Sequence, residues 1–236
     1  VADKSSETTA IPALLERLGA NGGLEGSLVS IDAIATNAAI ATAIRAHGAD
    51  YLLAVKANQP TLRAEIERYF DDAPARSLDT FTDLDKGHGR IEERRVTVSR
   101  ETGWLEGRRR FPGELRLPDA RTIVRVTSRT GLKDRSRFDT RYFIASADLA
   151  AEQAAHAVRG HWLIENALHW TLDVVFKDDQ SRLRKGHGAN NMAIVRHFAL
   201  NLVRAVNDKR SIKLRRKKAA WNPDYLASIL GHLSRR

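Results

Sequence analysis

Hydrophobic positions change period twice along the chain, and those changes divide it. Ser6 to Leu18 places Leu14, Leu15 and Leu18 on one face, with a Ser/Thr cluster and Pro12 near its start and Gly19 after it, which predicts a helix. Asn21 to Gly23 reads as a turn, and Ser27 to Ile34 (SLVSIDAI) as a buried strand with Asp32 near its end. Asn37 to His47 predicts a second helix stopped by Gly48, Tyr51 to Lys56 a second strand, and Thr61 to Phe70 a third helix. Strand and helix alternating at this spacing predict a parallel α/β sheet, with functional groups where strands give way to loops. From Asp71 to Ala147 the period shortens. Arg90 to Arg100, Arg121 to Ser128 and Arg137 to Ala145 carry β-branched or alternating runs between Gly- and Pro-containing turns, which predicts an antiparallel β insertion.

Helical spacing then returns. Leu149 to Lys177 predicts a long helix whose apolar stripe, Val158, His161, Glu165, Leu168, Leu172 and Val175, contains a carboxylate. Asn190 to Asn207 predicts another, with Met192, Val195, Phe198, Ala199 and Leu202 as its apolar face. Asp208 to Ala220 (DKRSIKLRRKKAA) reads as a basic loop, and Trp221 to Leu233 as a short helix opened by Pro223. The expected organisation is therefore 1–72 as the first part of an α/β core, 73–147 as a β-rich insertion, and 148–236 as a helical completion with a basic tail.

Composition adds a charge argument. The chain carries 39 Lys and Arg against 29 Asp and Glu, a net +10, which favours polyanionic partners. From Ala151 onward there are 16 basic and 7 acidic residues, so most of the excess lies in the last third. No cysteine is present, which excludes disulfides and thiolate metal sites. No apolar run has the length of a membrane span and no signal-peptide pattern opens the chain, so a soluble cytoplasmic protein is expected. The first residue is Val, and the opening VADKSSETTAIPALLERLG sounds like a strand end running into a helix, so the chain is expected to be part of a longer protein.

Two carboxylates stand out. Glu165 sits inside an apolar stripe, and desolvating an unpaired charge is costly, so its position demands a cation, a hydrogen-bond network or a metal. Asp32, at the carboxyl end of a strand, is placed either to bind a ligand or to cap the next turn. His161, Glu165, His169 and Asp173 recur every four residues, but four side chains along one straight helix cannot converge on one ion, and the HExxH pattern is absent. No Gly-rich phosphate loop and no nucleophile elbow occurs. Lys86-Gly87-His88-Gly89-Arg90 fits either a phosphate contact or a charged hairpin turn. The basic stretches Ser181 to Gly186 and Lys209 to Lys218, near Trp162, Trp170 and Trp221 in sequence, suit phosphate neutralisation combined with stacking on bases.

Taken together, SIDAIATN, DYLLAVKANQ, DKGHGRIEERR, VRGHWLIENALHWTLDVVFKDDQSRLRKG and NMAIVRHFALNLV resemble the DDE transposases of bacterial insertion sequences, of the H-repeat-associated kind, over essentially the whole chain. The resemblance implies a ribonuclease-H-like core with a β-rich insertion. It also implies Mg²⁺- or Mn²⁺-dependent phosphodiester chemistry, with Asp32 as the second and Glu165 as the third carboxylate and metal ligand. The first catalytic Asp of such enzymes has no match here, so the chain resembles their carboxy-terminal two thirds. Where the wider family carries Tyr, Arg and Lys around the Glu, this chain has Val158, His161 and Leu172, and those roles do not transfer. The implied partner is double-stranded DNA at transposon ends and target. Candidate contacts are Lys56, Asn58, His88, Arg90, Arg159, His161, Arg182, Arg184, Lys185, Lys213, Arg215, Arg216, Lys217 and Lys218. The expected assembly is a homodimer or a pair with full-length transposase. The alternative is a non-catalytic remnant that binds DNA or pairs with full-length transposase as an inhibitor.

Overall fold

Two compact units, Val1–His161 and Trp162–Arg236, make up the chain in a computed structural model that describes residues 7–87, 90–105, 114–131 and 136–231. The division falls inside a helix, after His161. His88 and part of the candidate turn around it lie outside the described residues.

In the first unit, helix α1 (Glu7–Ala20) leads through a turn with Gly22 at φ 68° into strand β1 (Leu28–Ile31). Helix α2 (Ala38–Ala46) is capped by Asn37, whose side-chain oxygen accepts from the Ile40 amide at 2.9 Å, and Gly48 closes it at φ 70°. Strand β2 (Asp50–Val55) and helix α3 (Pro60–Asp72), with Pro60 in its first turn, complete the α/β part. Strands β3 (Asp79–Gly87), β4 (Arg90–Ser99), β5 (Thr122–Gly131) and β6 (Ser136–Ala145) follow.

All six strands join one sheet in the order β1-β2-β6-β5-β4-β3. Only β1 and β2, separated by α2, are parallel; every other pair is antiparallel. Connection length requires this for β3–β4 and β5–β6: a parallel return needs a crossover of a dozen or so residues, and only two and four residues join these pairs. The β-rich stretch therefore extends the same sheet, β6 lying directly beside β2 with Leu53 opposite Ile144. Tyr51, Leu53, Ile40, Ile44, Ile66, Ile123 and Ile144 form a fully buried centre with α2 and α3 over it.

Three strand expectations change. The strand expected over Ser27 to Ile34 ends at Ile31 and is half-buried, because a 3-10 turn begins at Ala33 and β1 is a sheet edge among the described residues. Parallel pairing is confined to β1 and β2. Strand β3 was not expected at all, because its Asp79, Asp83 and Asp85 are poor strand formers by composition.

Those acidic residues have a packing role. Period-two alternation puts them on one face of β3, where helix α4 (Ala151–Leu163) lies. Asp79 accepts from the Ala151 amide at 2.8 Å, and Arg159 donates to Asp83 at 2.6 Å and Asp85 at 2.9 Å. Asp79 thus caps α4 from across the sheet. Asp79→Ala is expected to cost about 1 kcal/mol, the usual value of a lost cap, as measured by urea denaturation; no change would show that water replaces it.

Beyond Leu163 the helix widens into π turns over Ile164–His169 and Thr171–Val175. Helices α5 (Gly188–Ala205), α6 (Ile212–Trp221) and α7 (Pro223–Gly231) follow and pack on one another. The basic stretch expected as a loop is thus helix α6. Ser211 starts it by accepting from the Leu214 amide at 3.3 Å, and Lys and Arg are themselves good helix formers. The apolar face of α5 also differs. Leu200 and Val203 are buried, in line with Arg196, which pairs with Asp178, whereas Met192, Val195 and Phe198 are exposed. Apolar residues ring this helix, so periodicity could not tell which flank meets a neighbour.

Candidate functional site

The two parallel strands of the first unit end side by side, and their following loops carry the first cluster of candidate residues. Asp32 comes directly after β1 and Lys56 directly after β2; Lys56 Nζ lies 2.6 Å from Asp32 Oδ1. Both side chains are about half exposed, 52% for Lys56 and 50% for Asp32, so the pair is open to solvent and ligand. Partial burial pushes the Asp32 carboxyl up. The Lys56 ammonium, the Ala33 amide and the His161 ring outweigh it and hold the group below its ordinary value. Asp32 is therefore ionised at neutral pH.

The surrounding loops are tied to one another. Asn58 donates to the Ala33 carbonyl at 2.7 Å, Gln59 to the Thr36 carbonyl at 2.8 Å, and Thr36 to the Ala54 carbonyl at 2.9 Å. These bonds fix the turn that carries Asp32. From α4, His161 Nδ1 lies 3.1 Å from the Ser30 hydroxyl on β1. Asp32, Lys56, Asn58 and His161 are thus brought together, although 129 positions separate Asp32 from His161. Ser30 was missed in the sequence. A lone hydroxyl within the aliphatic run LVSI was its only signal.

Arg159, two residues before His161 and so on a different flank of the helix, faces the β3 carboxylates rather than this cluster. Glu165 belongs to the second unit, in the first widened turn. One-residue expansions of this kind recur at functional sites. Leu172 and Val175 are buried as the apolar stripe predicts. Asp173 of the four-spaced series hydrogen-bonds Asp179. Desolvation first, then its neighbours Asp179 and Asp178, raise its carboxyl.

The basic candidates of the second unit fall into two groups. Arg182, Arg184 and Lys185 are exposed on the segment before α5, and Lys213 and Lys217 are exposed on α6. Arg216 lies over the Phe176 ring at 5.5 Å, Lys217 near Trp221 at 6.0 Å and Lys218 over Tyr225 at 4.4 Å. Arg215 differs: it bonds Asp208 at 2.7 Å and the Val203 carbonyl at 3.1 Å, so a phosphate would have to compete with an internal clamp.

Asp208 anchors that clamp. It also accepts from the Arg210 amide and the Tyr225 hydroxyl, each at 2.9 Å. Desolvation raises its carboxyl, but these donors together with Arg215 and Arg210 hold it far below its usual value. With the folded value depressed, the stabilisation is present above the unfolded carboxylate range and is lost as pH falls through the folded value. Asp208→Asn, which cannot ionise, is therefore expected to lower the stability of the second unit at neutral pH and to make that stability less sensitive to strong acid, followed by Tyr225 ring resonances.

Among the described residues no group of three or more His, Asp or Glu side chains is placed to hold a metal ion, and in this cluster Asp32 is the carboxylate that could contribute to one. Asp32 is ionised, accessible and already faces a cation, and Mg²⁺ is commonly held by one or two carboxylates with waters and substrate phosphates completing its shell.

This arrangement occurs in a chain of known kinship: residues 1–202 match the transposase DDE domain family, to which the chain belongs. It is 38% identical to the "Putative transposase YncI" of Escherichia coli O157:H7 over 98% of this chain and 58% of that protein. Identity is 35% with the "H repeat-associated putative transposase YhhI" of E. coli K12, over 97% of this chain and 60% of the relative. It is also 35% with "Putative protein YbfL" of the same strain, over 96% and 60%. The chain thus spans about three fifths of the length of these relatives. Among the described residues no helix is long and apolar enough to cross a membrane.

Proposed function

We propose that the chain forms part of a ribonuclease-H-like transposase that cuts and joins double-stranded DNA at insertion-sequence ends. Asp32 and Glu165 are its carboxylate ligands for Mg²⁺ or Mn²⁺. The observation that carries this reading is the ionised, accessible Asp32 at the carboxyl end of β1, cross-braced to the next strand's Lys56, in a chain of the transposase DDE family. A bound divalent ion supplies Lewis-acid stabilisation of charge on the phosphoryl oxygens.

The protein's own residues do the rest. Asp32 and Glu165 would hold the ion, and Lys56, which lies against Asp32, would offer its ammonium to a DNA phosphate, a role Lys fills as a point charge. His161, held by Ser30, orients the strand beside the scissile bond. A water or a 3′-hydroxyl attacks phosphorus and loses its proton to solvent, the P–O3′ bond breaks as the new P–O bond forms, and the departing 3′-oxygen takes a proton from solvent. Asn58 of the first unit and Arg182, Arg184, Lys185, Lys213, Arg216, Lys217 and Lys218 of the second are assigned to DNA phosphates, and two copies of the protein bring two ends together.

The test is a radiolabelled duplex carrying the ends of the insertion sequence that encodes the chain, incubated with the chain extended to the length of its relatives. Cleavage is expected with Mg²⁺ or Mn²⁺ and none with chelator, while binding persists and weakens steeply between about 50 and 200 mM salt. Cleavage that survives chelation would overturn the assignment. Binding without cleavage under every metal condition would leave a DNA-binding remnant in its place.

A further inference from the structure

Away from Asp32, the first unit has a recess of about 400 Å³ between the end of α3 and the segment after β4. Its wall is aromatic: the Tyr69 and Trp104 rings stack 5.7 Å apart with planes inclined by 20°. Both rings are held in place. The Tyr69 hydroxyl lies 2.7 Å from the Ser99 hydroxyl and donates to Glu101 Oε2 at 3.0 Å, while Trp104 Nε1 donates to the Glu101 carbonyl at 2.9 Å. Among the described residues the polar lining is acidic, with Glu65, Asp72 and Glu101 against one cation, Arg68. Neither Asp72 nor Glu101 has an ion-pair partner among the described residues.

In a chain of net charge +10 this recess is out of character, and it repels the phosphates that the rest of the protein attracts. An aromatic wall offers nothing to a hard divalent ion, which takes oxygen ligands. A planar organic cation satisfies both features, because guanidinium stacks on an aromatic face and presents its N–H fork to a carboxylate. We propose that this recess is a binding site for a guanidinium group, stacked on the Tyr69–Trp104 wall and bonded to Glu101 and Asp72. Its volume lies within the range of small-ligand sites, and its two rings are positioned before any ligand arrives, so little ordering cost remains.

The experiment follows the Trp104 indole N–H by NMR in the intact chain, titrated separately with agmatine, with the peptide acetyl-Gly-Arg-Gly-amide and with butylamine. A saturable shift is expected with either guanidinium probe, half-complete on the order of 1 mM, as suits one stacked and ion-paired group. The tighter of the two identifies whether the natural source is a free guanidine or a polypeptide arginine. Glu101→Gln and Asp72→Asn, both near-isosteric and on exposed side chains, are each expected to weaken binding about threefold. The absence of a saturable shift up to about 50 mM would overturn the proposal, given affinities of this class. So would equal binding of butylamine, which would reduce the effect to counter-ion accumulation, or unchanged affinity in both variants.

Discussion

In the chain extended to the length of its relatives, Asp32→Asn and Glu165→Gln are each expected to lower the proposed metal-dependent cleavage by at least about 10²–10³-fold, the scale on which single charge-stabilising groups act in transition states. Each replaces a carboxylate by a carboxamide of the same shape, so the change removes charge while keeping volume. Asp32 is half exposed and caps nothing through its side chain, so Asp32→Asn leaves the fold intact and loses the ionic hold on Lys56. Such an ion pair, open to water, contributes less than about 1 kcal/mol. Unfolding curves should therefore overlay while cleavage disappears. Cleavage by either variant within about tenfold of the parent would remove that carboxylate from the chemistry, since rate effects this small do not require a lost ligand.

Leu53→Ala is expected to destabilise the first unit by about 3–5 kcal/mol, at the upper end for deleting a fully buried aliphatic side chain. Leu53 has no solvent exposure, sits opposite Ile144 of β6 and beside Ile31 of β1, and leads within three residues to Lys56. The cavity would open where the parallel and antiparallel parts of the sheet meet, flanked on both sides by strands that cannot collapse independently. Against a typical domain stability of roughly 5–15 kcal/mol, this is a large fraction. Phe138→Ala serves as the contrast. Phe138 is 72% exposed on β6, and its loss is expected to change stability by no more than about 0.5 kcal/mol. Similar midpoints for the two variants in urea would contradict the placement of β2 at the centre of the core.

Most element positions could be read from local rules. Asn37 as a cap, Gly48 as a stop, Pro60 at a helix start and the aliphatic run through β2 each act within a few residues, and each element lies within a few residues of its expected bounds. The errors share a cause. Strand β3 is acidic because its carboxylates cap and clamp α4, a helix that begins more than sixty residues after it. Helix α6 was concealed by its charge, and the covered flank of α5 was set by neighbours that spacing does not reveal.

The same division holds for the candidate site. From the sequence by itself came the family, the two carboxylates as candidates, and the basic weighting of the last third, because these depend on residue type and short spacing. Tertiary structure alone decided that Asp32 meets Lys56, that Ser30 anchors His161, and that Arg159 and Arg215 are already engaged by carboxylates. Charge says that a side chain can attract a partner. Which partner it meets depends on contacts between residues far apart in the chain, and those exist only after the sheet has closed and the helices have packed.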